Sequence, residues 1–165
     1  MAKYKIAWMP GDGIGQEVME AARIVLDKIK LDAEYLPADI GWEFWRREGN
    51  PLPDRTIDLL ARHKIGLFGA ITSKPKEEAA EELDPELQGK GLVYSSPIVG
   101  LRQHFNLDVC IRPCRTYKGN PLNFIRRGPN NTVEEPEIDV VIFRQNTEGL
   151  YGGGEWSDPP DQVYQ

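Results

Sequence analysis

Arg102 and Arg112 lie ten residues apart in the stretch Leu101–Pro113, and Arg144 closes a later apolar run, Ile138–Phe143. The first stretch reads as the end of a helix feeding a buried strand, so each arginine stands near the end of an element. A planar guanidinium holds a carboxylate through two parallel N–H···O bonds. Three of them at the ends of neighbouring elements make a receptor for a di- or tricarboxylate. Any one arginine alone is more simply a solvated or structural ion-pair residue, because most surface pairs are structural; the argument rests on the group. Tyr151 follows Arg144 after a polar stretch that includes Asn146, Thr147 and Glu148. A phenol with a pKa of about 10 keeps its proton at neutral pH and donates it best beside cationic groups. In isolation Tyr151 is an ordinary amphipathic turn residue.

The elements that must position these residues follow an alternating pattern. Tyr4–Met9 is a short apolar run closed by Pro10 and Gly11, as expected of a buried parallel strand. A helix follows the glycine-rich turn, with Val18, Ala21, Ala22, Val25 and Ile29 as its expected buried face. Strand, glycine turn and helix raise the question of a dinucleotide fingerprint. That fingerprint fails, because its third glycine would fall on Gln16 and only Glu34 and Asp39 offer weak candidates for the ribose acid. The small residues are better explained by close backbone approach, with helix N-terminal amides nearby that can face an anion. Ala33–Leu36 is a second strand. Asp39–Glu48 is a helix with Ile40, Phe44 and Trp45 inward, and Pro53 opens another helix whose apolar residues are Ile57, Leu59, Leu60 and Ala61. Lys64–Ile71 is a third, continuous apolar strand. The expected class is α/β, an open three-layer sheet that takes ligands at the carboxyl ends of its strands.

Thr72 and Ser73 sit at one such end, where their hydroxyls can donate to a carboxylate or a carboxamide, or simply cap a helix or turn. Residues 74–90 are charged, with few apolar members, and read as a solvent loop with one helical turn. The pairs Glu77–Glu78 and Glu81–Glu82 are a wet face far more often than metal ligands. Ser95–Ser96–Pro97 starts the arginine helix with a serine cap and a proline in its first turn. Residues 116–137 form an excursion or hairpin rather than core. There Arg126–Arg127 is a small basic spot, a solvated turn before it is a phosphate contact.

The net charge of -6 argues against a nucleic-acid binder and against a polybasic membrane anchor. No apolar run approaches a membrane span, and the N-terminus lacks a signal-peptide pattern. Cys110 and Cys114 have the wrong spacing for a redox or zinc C-x-x-C. They read as buried or part-buried thiols of a reducing, cytoplasmic compartment.

Three segments carry a family resemblance. Arg144–Gly153 resembles the R-E-N-[ST]-E-x-x-Y-x-G signature of the isocitrate and isopropylmalate dehydrogenases. Leu101–Pro113 resembles their L-R-x-x-x-x-L-x-x-x-x-R-P segment, and Met9–Gly15 resembles their P-G-D-G-I-G opening. The resemblance implies the fold of that family and oxidative decarboxylation of a 3-substituted malate, with NAD or NADP and Mg2+ or Mn2+. It makes Arg102, Arg112 and Arg144 substrate-binding residues, Tyr151 the acid that protonates C3, and Thr72 a cofactor-side residue near the nicotinamide. It places no metal ligand in this chain. Ser96, six residues before Arg102, matches a serine that binds a substrate carboxylate in isocitrate-specific members. Glu155–Trp156 leans the same way, whereas Ile98 and Val99 match aliphatic positions of isopropylmalate enzymes. The acid is thus expected to be isocitrate first, with 3-isopropylmalate or homoisocitrate as alternatives.

The resemblance also divides the chain. Residues 1–107 are the N-terminal part of the large domain, 108–148 the start of a small domain, and 149–165 the start of a dimer arm or clasp. The chain is expected to be an N-terminal half or a truncated product of a homodimeric enzyme, without the general-base lysine, metal-binding aspartates and most of the cofactor loop. A non-catalytic half-enzyme that binds carboxylates or regulates a full-length subunit is the competing class. An unrelated flavodoxin-like module would share the sheet pattern but leave Arg144–Tyr151 unexplained.

Overall fold

Tyr4–Gly11 forms β1, the central strand of a three-stranded parallel sheet in the order β2-β1-β3, with β2 at Ala33–Pro37 and β3 at Gly66–Ala70. Tyr4 pairs with Ala33 on one side and Ala7 with Gly66 on the other. A central parallel strand is covered on both faces, which is why Ile6, Ala7 and Met9 are all buried. The computed structural model describes residues 2–148. They divide into two units, one up to Leu101 and one from Arg102 onward. Among the described residues no helix is long and apolar enough to cross a membrane.

In the first unit, helix α1 (Gly15–Lys28) returns the chain from β1. Its start touches the end of β3: a Cβ on Gly69 would stand 2.7 Å from the Gly15 carbonyl oxygen and 2.9 Å from Met19 Cγ. A Cβ on Gly15 would meet the Pro10 and Ala70 carbonyls, so only glycine permits this approach. The buried face of α1 is therefore Gly15 and Met19, continued by half-buried Ala22 and Leu26. This corrects the expected face, of which only Ala22 is even half covered; Val18, Ala21, Val25 and Ile29 are exposed. The helix is apolar on two sides, and the side with the glycine is the one that can come close.

Helix α2 (Trp42–Glu48) begins three residues later than expected, behind Gly41. It buries Trp42 and Trp45, while Phe44 is half-buried with the Arg55 guanidinium 5.5 Å from its ring centre. Helix α3 (Asp54–His63) takes Pro53 as its cap rather than in its first turn. It buries Leu60 as expected, and also Thr56, whose hydroxyl donates to the Asp39 carbonyl at 2.6 Å. Ala61, another of its apolar residues, is exposed.

Residues 74–90 are not a loose solvent loop. Helix α4 (Lys76–Glu81) buries Ala79, and Leu83 follows it into a cluster with Trp42, Trp45 and Tyr94, flanked by Leu87 and Leu92. Both indole N–H groups end on this segment: Trp45 donates to the Ala79 carbonyl at 2.8 Å, and Trp42 to Glu82 Oε2 at 2.7 Å. The Glu82 carboxyl also pairs with Lys74, and these two donors hold it below the usual carboxylate range. Glu82 thus has a partnered role that a wet face would not have supplied. A few apolar residues sufficed because each lands on an aromatic ring.

Helix α5 (Pro97–His104) leads into the second unit. There β4 (Val109–Arg115) pairs antiparallel with β7 (Asp139–Gln145). The excursion between them is a small hairpin, β5 (Arg126–Arg127) against β6 (Val133–Glu134). Arg126 pairs with Glu134 at 2.8 Å and Arg127 with Asn131, so the basic spot is internally partnered. β4, expected to be buried, is exposed except for half-buried Cys110, and so is all of β7. Two strands satisfy one another's backbone but cover neither face.

Leu83→Ala should cost about 2–4 kcal/mol, the range for a buried leucine that leaves a cavity. Urea denaturation measures it; a change below about 0.5 kcal/mol, as for a surface position, would return residues 74–90 to a loose loop.

Candidate functional site

The ladder of the second unit sets the geometry of the arginines. Cys110 stands opposite Arg144, and Arg112 opposite Ile142. Directly paired residues and residues two apart share a face. Cys110, Arg112 and Arg144 therefore project from one side of the ribbon, while Val109, Ile111, Val141 and Phe143 occupy the other. Arg112 Nε donates to Cys110 Sγ at 3.3 Å. Arg102, half-buried in the last turn of α5, joins them from the helix. The Cys110 thiol is held below its ordinary value first by the Arg112 hydrogen bond and then, against the effect of burial, by the charges of Arg112, Arg144 and Arg102. The Arg112 guanidinium thus bonds the sulfur directly, and the charges of Arg144 and Arg102 favour the same thiolate.

Cys110, like Cys114, is expected to be a buried or part-buried thiol. It is half-buried and free, whereas Cys114 is exposed, contrary to expectation. The signal for its place among the arginines was its two-residue spacing from Arg112 on a strand.

The first unit holds the other candidates. Thr72 follows β3, and its backbone is held from two sides. Its N–H donates to Asp12 Oδ1 at 2.6 Å, and its carbonyl accepts from the Tyr94 hydroxyl at 3.2 Å. Its own hydroxyl faces Gly13, where an added Cβ would come within 3.6 Å; the missing side chain leaves space beside the Oγ1. That fits one hydroxyl offered to a polar group such as a carboxamide. It is a single contact, not a whole dinucleotide site. Ser96 is half-buried ahead of α5, where its carbonyl accepts from Gly100 N–H at 3.0 Å, as a cap residue's does. Tyr151 lies outside the described residues.

Asp39 and Glu34, the weak ribose-acid candidates, are engaged otherwise. Asp39 pairs with Arg55 at 2.6 Å, and Glu34 with Lys5 at 3.5 Å. A cavity of about 260 Å³ opens at the carboxyl ends of β1 and β2, lined by Trp8, Gly11, Gln16, Asp39, Ile40 and Phe44 among others. Among the described residues no group of three or more His, Cys, Asp or Glu side chains is placed to hold a metal ion.

A family model described as isocitrate/isopropylmalate dehydrogenase matches residues 5–162. The chain is 39% identical over 162 residues to Protein DlpA of Legionella pneumophila, covering 97% of this chain and 24% of that protein. It is 36% identical over 163 residues to a 3-isopropylmalate dehydrogenase of Methanothermobacter thermautotrophicus, covering 99% and 40%. The crystal structure of an isocitrate dehydrogenase from Methylococcus capsulatus superposes with a TM-score of 0.70 at 30% identity, over 96% of this chain and 39% of that one. The chain thus spans well under half the length of the relatives it matches.

Since Arg112 favours the Cys110 thiolate, alkylation of Cys110 by iodoacetamide should begin at lower pH than for an ordinary thiol, and Arg112→Met should move that onset upward. The rate of Cys110 modification against pH, followed by mass spectrometry, checks this. Identical profiles for the two proteins would place the arginine charge away from the sulfur.

Proposed function

Because the chain belongs to the isocitrate/isopropylmalate dehydrogenase family of decarboxylating dehydrogenases, we propose that the whole protein oxidatively decarboxylates a 3-substituted malate, and that this chain supplies its carboxylate receptor. The supporting observation is the β4–β7 register, which sets Arg112 and Arg144 on one face around Cys110, with the charge of Arg102 reaching the same sulfur.

In this reading the three guanidiniums bind and orient the carboxylates of the acid, so that its 2-hydroxyl and its departing carboxylate are held in one pose. The Thr72 hydroxyl lies on the cofactor side, and Ser96 contacts the substituent or its carboxylate. Tyr151 delivers the proton to C3 after carbon dioxide leaves. When bound, NAD or NADP would supply the hydride acceptor, with Thr72 beside it, and Mg2+ or Mn2+ would supply electrophilic polarisation from ligands outside this chain. Ser96 and Glu155–Trp156 favour isocitrate, while Ile98 and Val99 favour the apolar substituent of 3-isopropylmalate; homoisocitrate is the third candidate. The domain reading follows: residues 1–107 in the large domain, 108–148 opening the small one, 149–165 opening the dimer arm of a cytoplasmic homodimer.

Arg112→Met should raise the KM for the acid by about 30- to 1000-fold, the cost of removing one charged partner from a carboxylate. Arg112→Lys should fall between, because an ammonium keeps the charge but not the planar fork. Steady-state kinetics of the whole protein with each of the three acids reads both; unchanged kinetics in both variants would sink the clamp.

A further inference from the structure

We infer that Asp12 and Tyr94 are positioning residues for Thr72, clamping its backbone so that its hydroxyl is presented to the nicotinamide end of the cofactor. The inference rests on the proposed cofactor-side role of Thr72 and goes beyond it by naming what holds that residue.

The Asp12 carboxylate uses its two oxygens on two different loops. Oδ1 accepts from the Thr72 N–H after β3, and Oδ2 accepts from the Trp42 N–H at the start of α2, at 2.5 Å. Its own backbone is tied to the same place: Asp12 N–H donates to the Ala70 carbonyl, and Gly15 N–H to the Asp12 carbonyl, both at 2.9 Å. One carboxylate therefore fixes three segments, the turn after β1, the exit of β3 and the entry to α2. Tyr94 completes the clamp on the following peptide, its hydroxyl donating to the Thr72 carbonyl oxygen.

The phenol is itself held rigidly. Tyr94 is buried, and its ring makes edge contacts with Trp42 and Trp45 at centroid distances of 5.0 and 5.4 Å. Burial, aided by the nearby Asp12 charge and opposed by a hydrogen bond with Ser73, keeps the hydroxyl above its ordinary pKa. It is a donor throughout the neutral range. With its N–H and carbonyl both tied, the remaining polar group of Thr72 is its hydroxyl, beside the space that Gly13 leaves open. Asn at position 12 would offer one acceptor oxygen and turn an NH2 toward the second amide, so only a carboxylate serves both loops.

The test is a cycle in the whole protein, with the Kd for NAD or NADP by calorimetry beside the KM for the cofactor, the KM for the acid and kcat, measured for Thr72→Ala, Asp12→Asn, Tyr94→Phe and the double variant Asp12→Asn/Thr72→Ala; Kd and cofactor KM should move together. Thr72→Ala should raise the cofactor KM about tenfold, Asp12→Asn nearly as much and Tyr94→Phe about threefold, the effect of losing one hydrogen bond or its alignment. The acid KM should change far less. Once Thr72 is Ala, adding Asp12→Asn should raise the cofactor KM by no more than about twofold, because both changes act through one hydroxyl. Tyr94→Phe keeps the aromatic packing, so it reads the hydroxyl alone even if Asp12→Asn disturbs folding.

Multiplying effects in the double variant would overturn the clamp. A cofactor KM raised by Thr72→Ala but untouched by Tyr94→Phe and Asp12→Asn would overturn it while leaving Thr72 in place. An unchanged cofactor KM in Thr72→Ala would instead remove the cofactor-side reading on which the clamp depends.

Discussion

A carboxylate that accepts two backbone amides from different loops is a constraint as much as a bond. Asp12 has no freedom to move without releasing either Thr72 or Trp42, and both N–H groups would then lack the acceptor that holds them. The glycine-rich turn around it serves this arrangement. Gly15 lets α1 start against β3, and Gly13 leaves room beside the Thr72 hydroxyl. What resembles a phosphate loop by composition is thus a junction. Its glycines permit close approach, and its acid ties the carboxyl end of the sheet together.

The second unit works by a different constraint. An antiparallel register cannot slip by one residue without sending every side chain to the other face. The pairing of Cys110 with Arg144 therefore decides that Arg112 and Arg144 point the same way. The backbone ladder thus holds two guanidiniums on one face of the ribbon. The opposite face of the ribbon, with Val109, Ile111, Val141 and Phe143, is apolar and exposed among the described residues.

Residues 74–90 link packing to the site. Their few apolar residues look inadequate in sequence, yet Ala79 and Leu83 close over two tryptophans and Tyr94. The indole N–H groups then find acceptors on the same segment. This small cluster holds the phenol that reaches the Thr72 carbonyl, so an apparently solvated segment contributes to the order of the sheet's carboxyl end.

The order of strands and helices, the parallel sheet and the family were legible in sequence, because apolar runs bounded by Gly and Pro and motifs at family spacing are local properties. Period-two spacing puts Cys110 and Arg112 on one face of β4, but only the pairing with β7 brings Arg144 beside them. The covered side of α1 was not legible: Val18, Val25 and Ile29 make as good a stripe as Met19, Ala22 and Leu26, and only the approach of Gly69 to Gly15 chooses between them. The roles of Asp12, Glu82 and Tyr94 were hidden for a related reason. Each depends on partners 22 to 60 residues away in the chain. Residue type announced which groups can bind an anion or carry a proton; contacts between distant segments decided which of them are held in place to do so.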